Sequence, residues 1–290
     1  MGKTILEALH STTEVFWKKD IDSPRIEAEL LLGYILNLKR TELYLNSQKV
    51  LTPEEEETLQ KLIKERLSGK PLQYILGEVE FYGLKFNIDS RALIPRPETE
   101  VLVTKVLEHF KKEKRETDIL KIVDIGTGSG NIAVALASNL KNSFVYATDI
   151  SSDALSLSRE NAERNQVEKR IEFLCGDLLT PLWGRNLEGK IDSIVSNPPY
   201  VHNEEKEILQ KEVRDFEPEI ALFTKGGLYQ RIIEQSASFL RKGKGILVLE
   251  TGYNQAGKVK KIIAEISDFN SIEIIKDLAG IERVLFAIKR

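Results

Sequence analysis

The sequence predicts an α/β protein in which helices cover a parallel β-sheet, preceded by a small helical domain and a β-hairpin linker. Two observations predict this arrangement. Up to about residue 75 the apolar residues recur at helical spacing, whereas from Leu120 onward short apolar runs alternate with amphipathic stretches. Strands that alternate with helices form βαβ units, which build a parallel sheet with both faces covered. The chain's 290 residues suffice for one large domain or two smaller ones.

The N-terminal part, residues 1–75, is predicted to be a helical domain. Ser23 precedes Pro24 and Thr52 precedes Pro53, so each pair places a capping residue before a proline at the first helical position. Glu55 completes a capping box with Thr52. We therefore expect a helix to begin at each proline.

A linker, residues 76–92, follows. "EVEFYGLKFNI" alternates apolar and polar residues around Tyr82-Gly83, which predicts a β-hairpin. The next stretch, "ALIPRPETEVLV", has prolines on both sides of Arg96, and we expect a helix to start near Pro97 or Glu98. Residues 93–290 would form the larger domain.

The larger domain has five predicted strands, followed by two more near the C-terminus. They are "LKIVDIG", "SFVYATD", "RIEFLCGD", "KIDSIVSN", "GILVLETG", "SIEIIKD" and "ERVLFAIK". The loop around Gly280 is too short for a crossover, so we expect the last two strands to pair antiparallel at the sheet edge. Cys175, inside the third apolar strand, is expected to be a core residue.

The composition argues against several function classes. The net charge of −3 and the pI near 5.9 disfavour broad, nonspecific binding of nucleic acid. No apolar run approaches the ~20 residues of a membrane span, and the start lacks the apolar region of a secretory signal. One cysteine fits a reducing compartment, and three scattered histidines make no zinc cluster. We expect a cytoplasmic protein that uses no metal and no membrane.

A glycine-rich loop follows the first predicted parallel strand. It consists of Gly126, Thr127, Gly128, Ser129 and Gly130. Its glycines allow a sharp turn and the close approach of a ligand. Asn131 stands where a dinucleotide fingerprint has its third glycine, and the Gly-Lys-Ser/Thr of a P-loop is absent from the sequence. The spacing suits a cofactor with an amino acid moiety, although some such loops are purely structural.

Acidic residues end the next two strands. Asp149 lies 21 residues after Gly128 (149 − 128), close to the ~20-residue offset at which an acid reaches ribose hydroxyls. Asp177 is placed to accept from an adenine amino group while Leu178 packs on the ring, or else it only terminates its strand. The three loops would meet at one sheet edge, which favours a nucleoside cofactor.

The fourth strand runs into Asn197-Pro198-Pro199-Tyr200. Two prolines stop the hydrogen-bond ladder and leave rigid backbone with free carbonyl groups. The Asn197 side-chain oxygen and the Pro198 carbonyl can accept both N–H bonds of a planar amide group, on a glutamine or an adenine, while Tyr200 stacks on its plane. Such a clamp acts through proximity and charge stabilisation rather than through a tuned acid or base.

The motifs "DIGTGSG", "ATDIS" and "SNPPY", in this order, resemble S-adenosylmethionine-dependent methyltransferases that modify planar exocyclic nitrogens. With "PLQYILGEVEFYGLKF", "LIPRPETE", "FEPEIALF" and "LETGYNQ", the sequence resembles the HemK family, protein-(glutamine-N5) methyltransferases that act on peptide chain release factors. The resemblance runs from about Pro71 to the C-terminus and implies a Rossmann-like, seven-stranded class I methyltransferase domain. "PRPETE" together with NPPY is its specific part, since NPPY alone is shared with DNA adenine methyltransferases.

The resemblance implies a role for each motif. Gly126 to Gly130 would hold the methionine end of S-adenosyl-L-methionine and Asp149 its ribose, with Asn197 bordering both cofactor and substrate. Leu178 replaces an aromatic residue that some relatives carry against adenine. Arg96 and Glu98 would lie near the substrate entrance, or would instead form a rigid, salt-bridged linker.

The implied reaction is methyl transfer to the glutamine of the Gly-Gly-Gln motif in class I release factors, with the helical domain contacting another surface of the substrate and no direct nucleic-acid partner. Three alternatives stay open: adenine-N6 methylation of nucleic acid, glutamine methylation of a ribosomal protein, and a non-catalytic cofactor-binding module. Two observations argue against adenine methylation: the net charge of the chain is negative, and no long segment for base recognition follows NPPY.

Overall fold

The computed structural model describes residues 2–113, 119–224, 226–266 and 268–290. The chain divides into two compact units. Unit 1 comprises Met1–Gly77 and Gln210–Phe216, and unit 2 comprises Glu78–Leu209 and Glu217–Arg290. Unit 1 is therefore discontinuous in sequence.

The elements follow one another along the chain as helices first and then as alternating strands and helices. The helices are α1 Ile5–Trp17, α2 Pro24–Leu36, α3 Arg40–Leu45, α4 Pro53–Leu67, α5 Leu72–Leu76, α6 Glu100–Glu113, α7 Asn131–Asn139, α8 Ser152–Arg164, α9 Lys211–Phe216, α10 Glu219–Leu222, α11 Leu228–Phe239 and α12 Ala256–Glu265. The strands are β1 Glu78–Phe81, β2 Leu84–Asn87, β3 Leu120–Ile125, β4 Ser143–Asp149, β5 Ile171–Cys175, β6 Ser193–Ser196, β7 Ile246–Glu250, β8 Phe269–Lys276 and β9 Glu282–Lys289. Within the described residues no helix has the length and apolar character to cross a membrane.

Unit 1 is a helical bundle whose two predicted helix starts are both present. Thr52 caps α4 as predicted: its hydroxyl accepts from the Glu55 N–H at 3.2 Å, and the Glu55 carboxylate accepts from the Thr52 N–H at 2.7 Å. The predicted cap at Ser23 is wrong, because Ser23 adopts φ +50° and its side chain makes no capping hydrogen bond. Pro24 nevertheless begins α2, since its fixed φ suits the first helical position.

A buried ion cluster ties the returning helix α9 into unit 1. The Arg66 side chain is only 3% exposed; its Nε donates to Glu27 at 2.6 Å and its Nη2 donates to Glu212 at 2.6 Å. A guanidinium so far from solvent requires both carboxylates, because a buried charge without a partner costs several kcal/mol.

The hairpin predicted around Tyr82-Gly83 belongs to unit 2. Phe81 pairs with Leu84, and the two connecting residues have φ of +52° and +71°, as in the two-residue turns that match strand twist. Asn161 of α8 fixes the hairpin by accepting from the Asn87 N–H at 2.6 Å and donating to the Asn87 carbonyl at 3.0 Å. The hairpin is thus anchored to the sheet domain.

The main sheet, among the described residues, has seven strands in the order β5-β4-β3-β6-β7-β9-β8. The first five of these are parallel, and β9 runs antiparallel to both of its neighbours. The expected antiparallel pairing of the last two strands is confirmed. The strand order reverses between β3 and β6, and at such a switch point the crossover helices leave in opposite directions and open a crevice.

Two apolar clusters cover the two faces of the sheet. Alternate residues of each strand enter different clusters: Ile122 packs with α6 and α7, whereas Val123 packs with α11 and α12. The expectation for Cys175 is wrong. It is exposed, because it is the last residue of β5, which is an edge strand of the sheet.

Arg66→Ala should destabilise unit 1 far more than the loss of an exposed ion pair. The variant leaves Glu27 poorly solvated without its cation, and we expect unfolding free energy to fall by about 3 kcal/mol. Lys18→Ala, which breaks a pair exposed by 62% and 63%, should cost less than about 1 kcal/mol. Urea unfolding followed by circular dichroism, fitted separately for each transition, measures both. Equal losses in the two variants would contradict the role of the cluster.

Candidate active site

A cavity of about 180 Å³ opens at the carboxyl ends of the parallel strands in unit 2. Its lining brings together most of the residues that the sequence singled out. These are Gly126, Thr127, Gly128, Ser129, Asp149, Asp177, Leu178, Asn197, Pro198, Pro199 and Arg96. Gly130, Glu98 and Tyr200 are not among the described residues that line it.

The three glycines of the loop after β3 serve different purposes. Gly126 and Gly128 have φ of +68° and +56°, and a Cβ on Gly126 would enter open space, whereas a Cβ on Gly128 would meet only a carbonyl at 4.0 Å. A Cβ on Gly130 would instead come within 3.1 Å of the Ser158 Cβ on α8. The first two glycines therefore leave room for a ligand, and the third allows α8 to pack closely.

Asp124, which the sequence analysis missed, lies in β3 and stabilises this loop through hydrogen bonds. Its Oδ2 accepts from the Thr127 hydroxyl at 2.7 Å and from the Ala133 N–H at 3.2 Å. Complete burial raises the pKa of the carboxyl to about 7, against the lowering effect of these hydrogen bonds. The available signal was an acid inside an otherwise apolar strand, "KIVDIG".

Asp149 joins the second loop to the first. Its Oδ2 accepts from the Gly128 N–H at 2.9 Å and its Oδ1 accepts from the Ser151 N–H at 2.9 Å. Burial raises its pKa, and these backbone N–H groups oppose the rise. Each carboxylate oxygen keeps a further lone pair, so Asp149 can also accept from a vicinal diol in the cavity.

The third loop presents Asp177 and Leu178. Arg231 of α11 donates to one Asp177 oxygen, an ion pair that the sequence did not reveal. Leu178 has φ +52°, a conformation uncommon for a residue with a side chain. Such backbone is typical of ligand-contacting segments, and here it places Leu178 in the cavity lining.

The NPPY segment leaves β6 directly into the cavity. The Asn197 Nδ2 donates to the Thr99 hydroxyl at 3.1 Å, which leaves the Asn197 side-chain oxygen available. Tyr200 is fixed from behind: Gln255 donates to its carbonyl at 2.9 Å, and a Cβ on Gly252 would lie 2.8 Å from its ring. Thr99 and the pair of Gly252 and Gln255 come from the motifs "PRPETE" and "LETGYNQ".

Arg96 and Glu98 face different surroundings. The Arg96 Nη2 donates to Glu217 at 2.6 Å, and Glu217, which is 5% exposed, also accepts from the Ile94 N–H at 3.2 Å. This salt bridge is the kind that the linker interpretation of Arg96 expects. Glu98 lines a separate groove beside α6.

Across the part of the chain that the structure describes, no group of three or more His, Cys, Asp or Glu side chains could hold a metal ion. The polar residues that line the cavity carry carboxylates, guanidinium groups, hydroxyls and side-chain amides, which suit an organic ligand.

Comparison with known proteins gives the class of the protein. Family models match residues 7–77 (PrmC N-terminal domain) and residues 99–220 (Methyltransferase small domain). The chain is similar to the hMettl16 catalytic domain in complex with MAT2A 3'UTR hairpin 1, with TM-score 0.56, 19% identity and 84% of each chain covered. It is also similar to the N-terminal domain of human METTL16 in complex with SAH, with TM-score 0.52, 18% identity and coverage of 88% and 93%. These structures support the fold alone. Fold, site and family models together define an S-adenosylmethionine-dependent methyltransferase.

Curated relatives give the family. The release factor glutamine methyltransferase of Chlorobaculum tepidum is 41% identical over 285 residues, covering 97% of this chain and 96% of the relative. That of Koribacter versatilis is 39% identical over 292 residues, covering 99% of each. The chain belongs to the family of release factor glutamine methyltransferases.

Gly252→Ala should displace Tyr200 and lower methyl transfer, because its Cβ would clash with the tyrosine ring and the Gln255 amide. Such overpacking typically costs about 1–3 kcal/mol, and a cost of that size borne by the reacting arrangement lowers turnover by about 5- to 150-fold. Gly257→Ala, five residues on in α12, meets nothing within 4 Å and should leave turnover unchanged. Steady-state methylation rates test the pair, and equal rates would show that the ring does not depend on Gly252.

Proposed function

We propose that this protein transfers a methyl group from S-adenosyl-L-methionine to the side-chain amide nitrogen of the glutamine in the Gly-Gly-Gln motif of class I peptide chain release factors. One observation carries the proposal beyond family membership. Asn197 and Pro198 project from β6 into the same cavity as the glycine loop of β3, with the Asn197 side-chain oxygen free to accept a hydrogen bond.

The chain's own groups fit the cofactor. Open space above Gly126 and Gly128 would accept the methionine end, Asp149 would accept from the ribose hydroxyls, and the third loop would contact adenine through Asp177 and Leu178. When bound, S-adenosylmethionine supplies a methyl group on a cationic sulfur that is open to nucleophilic attack.

The substrate groups follow from the chemistry of an amide. A planar amide NH₂ is a poor nucleophile because its lone pair is delocalised, so the protein gains most by orienting it. The Asn197 oxygen and the Pro198 carbonyl would accept its two N–H bonds, and Tyr200 would support its plane. As the N–C bond forms and the methyl–sulfur bond breaks, these acceptors would also stabilise the positive charge that develops on nitrogen. S-adenosylhomocysteine would leave, and the nitrogen would lose one of its two protons to solvent.

We assign residues 1–75 to recognition of another surface of the release factor, residues 76–92 to the linker, and residues 93–290 to methyl transfer. Arg96 and Glu98 remain candidates for the substrate entrance. Because release factors act on translating ribosomes, we place the reaction in the cytoplasm, without a direct nucleic-acid partner.

Asn197→Ala tests the proposed function. Wild-type protein, S-adenosylmethionine and a release factor should add one methyl group to the Gly-Gly-Gln glutamine, as measured by peptide mass spectrometry. The variant loses an acceptor that acts on the reacting nitrogen, and we expect turnover to fall about 10²-fold or more. Cofactor affinity, measured by calorimetry, should change by about fivefold at most, which is the effect expected from the loss of one hydrogen bond. Asn270→Ala, at an exposed position of β8, is the matched control.

Parallel samples with a ribosomal protein mixture and with DNA distinguish the alternatives. A methyl group on adenine, with the Gly-Gly-Gln peptide unmodified, would show that the clamp acts on a different amine. A methyl group found only on a ribosomal protein would show that the reaction is the same but that the substrate is the ribosomal protein instead of the release factor. Binding of cofactor with no transfer to any sample would favour a non-catalytic module.

A further inference from the structure

Helix α11 holds the third loop of the cavity at two points. The Gln235 Oε1 accepts from the Leu179 N–H at 3.1 Å, and Arg231, one helical turn earlier, donates to the Asp177 carboxylate. The Arg231 and Asp177 side chains are 49% and 44% exposed, so water screens this ion pair and it contributes little to the position of the loop. The Gln235 hydrogen bond is partly buried, and it is therefore the stronger of the two anchors.

Leu178, which lies between these two points, has a backbone conformation that needs support. Its φ is +52°, a value that is unfavourable for a leucine because its Cβ crowds the backbone. Such a conformation persists only where contacts on both sides fix it. On the N-terminal side, the Asp177 carbonyl accepts from the Thr180 N–H at 3.0 Å and from the Thr180 hydroxyl at 2.6 Å. On the C-terminal side, the contact is the hydrogen bond from Leu179 to Gln235.

The hydrogen bond to Gln235 fixes the peptide group that follows Leu178. This peptide group carries the Leu179 N–H, and Leu179 is fully buried in the apolar cluster that covers one face of the sheet. A buried N–H that loses its acceptor is costly, so the loop gains by keeping this bond. An N–H only donates, so the glutamine must turn its amide oxygen toward it. Because the peptide group is bonded directly to the main chain of Leu178, the bond also fixes the side chain that Leu178 contributes to the cavity lining.

We propose that Gln235 is a positioning residue for the cofactor, which holds Leu178 against the adenine ring through the peptide group between Leu178 and Leu179. The inference rests on the proposed function, in which the third loop contacts adenine. Gln235 is not among the described residues that line the cavity, so it acts on the cofactor through the loop. Loss of its oxygen should therefore weaken cofactor binding and leave the methyl-transfer step itself unchanged.

Gln235→Met and Gln235→Glu separate the hydrogen bond from packing. Methionine keeps the unbranched shape and removes the acceptor, so we expect the affinity for S-adenosylhomocysteine, measured by calorimetry, to fall about 5- to 100-fold. Glutamate keeps an oxygen that accepts from the Leu179 N–H, and its affinity should stay within about threefold of the wild-type value. Gln230→Met, at an exposed position of the same helix, is the matched control and should not change the affinity. Equal affinities in the methionine and glutamate variants would overturn the proposal.

Leu178→Gly shows whether Gln235 acts through Leu178. Glycine adopts a positive φ without strain and presents no side chain to the base, so in this background Gln235→Met should lower the affinity less than about threefold. If Gln235→Met lowers the affinity by the same factor in both backgrounds, the proposal is wrong.

A second ligand locates the effect within the cofactor. 5′-Methylthioadenosine keeps the adenine and the ribose but lacks the amino acid, so Gln235→Met should weaken its binding by the same factor as that of S-adenosylhomocysteine. A loss confined to S-adenosylhomocysteine would place the effect at the methionine end and overturn the proposal.

Kinetics separate this inference from the proposed function. With a release factor as substrate, Gln235→Met should raise the KM for S-adenosylmethionine and leave kcat within about twofold, because the turn binds the cofactor equally in the ground state and the transition state. A fall in kcat with an unchanged KM would overturn the proposal. Calorimetry requires no methyl transfer, so a wild-type protein that binds S-adenosylhomocysteine but does not methylate the release factor would refute the proposed substrate alone, and the binding experiments would still decide the role of Gln235.

Discussion

The hydrogen bond from the Ser196 hydroxyl to the Ile125 carbonyl, 2.8 Å long and fully buried, lies where β3 and β6 end together. It joins the last residues of the two strands between which the sheet order reverses. The next residue of β3 is the first glycine of the cofactor loop, and the next residue of β6 is Asn197. The position of both loops, and with it the distance between a methyl donor and its acceptor, depends on this junction.

Buried acids organise the cavity around that junction. Asp124 holds the glycine loop, Asp149 ties the second loop to it, and Glu250 ends β7, the strand beside β6. Each is desolvated, and burial raises the pKa of each. A carboxyl kept from water is costly to fold, so the buried acids that hold the first two loops give the site fixed hydrogen-bond acceptors at the expense of stability.

The sequence was enough to predict those features whose structure depends on a single segment of the chain. These features are the alternating strands, the Thr52 capping box, the Tyr82-Gly83 turn and the loops at the strand ends. They follow from the spacing of apolar residues and from the positions of proline and glycine. What the sequence could not predict depends on which segments meet. The Arg96–Glu217 and Asp177–Arg231 pairs join residues far apart in the chain. Cys175 was misplaced because the sequence does not say that β5 is an edge strand, and Ser23 because a capping residue type does not ensure capping geometry.

The prolines after Asn197 now have a structural reason. Strand β6 is buried along its whole length between β3 and β7, and a proline inside it would remove ladder hydrogen bonds from both neighbours. At the strand end the same residues stop the ladder abruptly, so Asn197 and Pro198 line the cavity instead of continuing the strand. Backbone can fix a carbonyl in this way, but it cannot fix which end of an amide points outward. That choice depends on the groups around the side chain, and here the Asn197 Nδ2 donates to the hydroxyl of Thr99, which belongs to a segment much earlier in the chain.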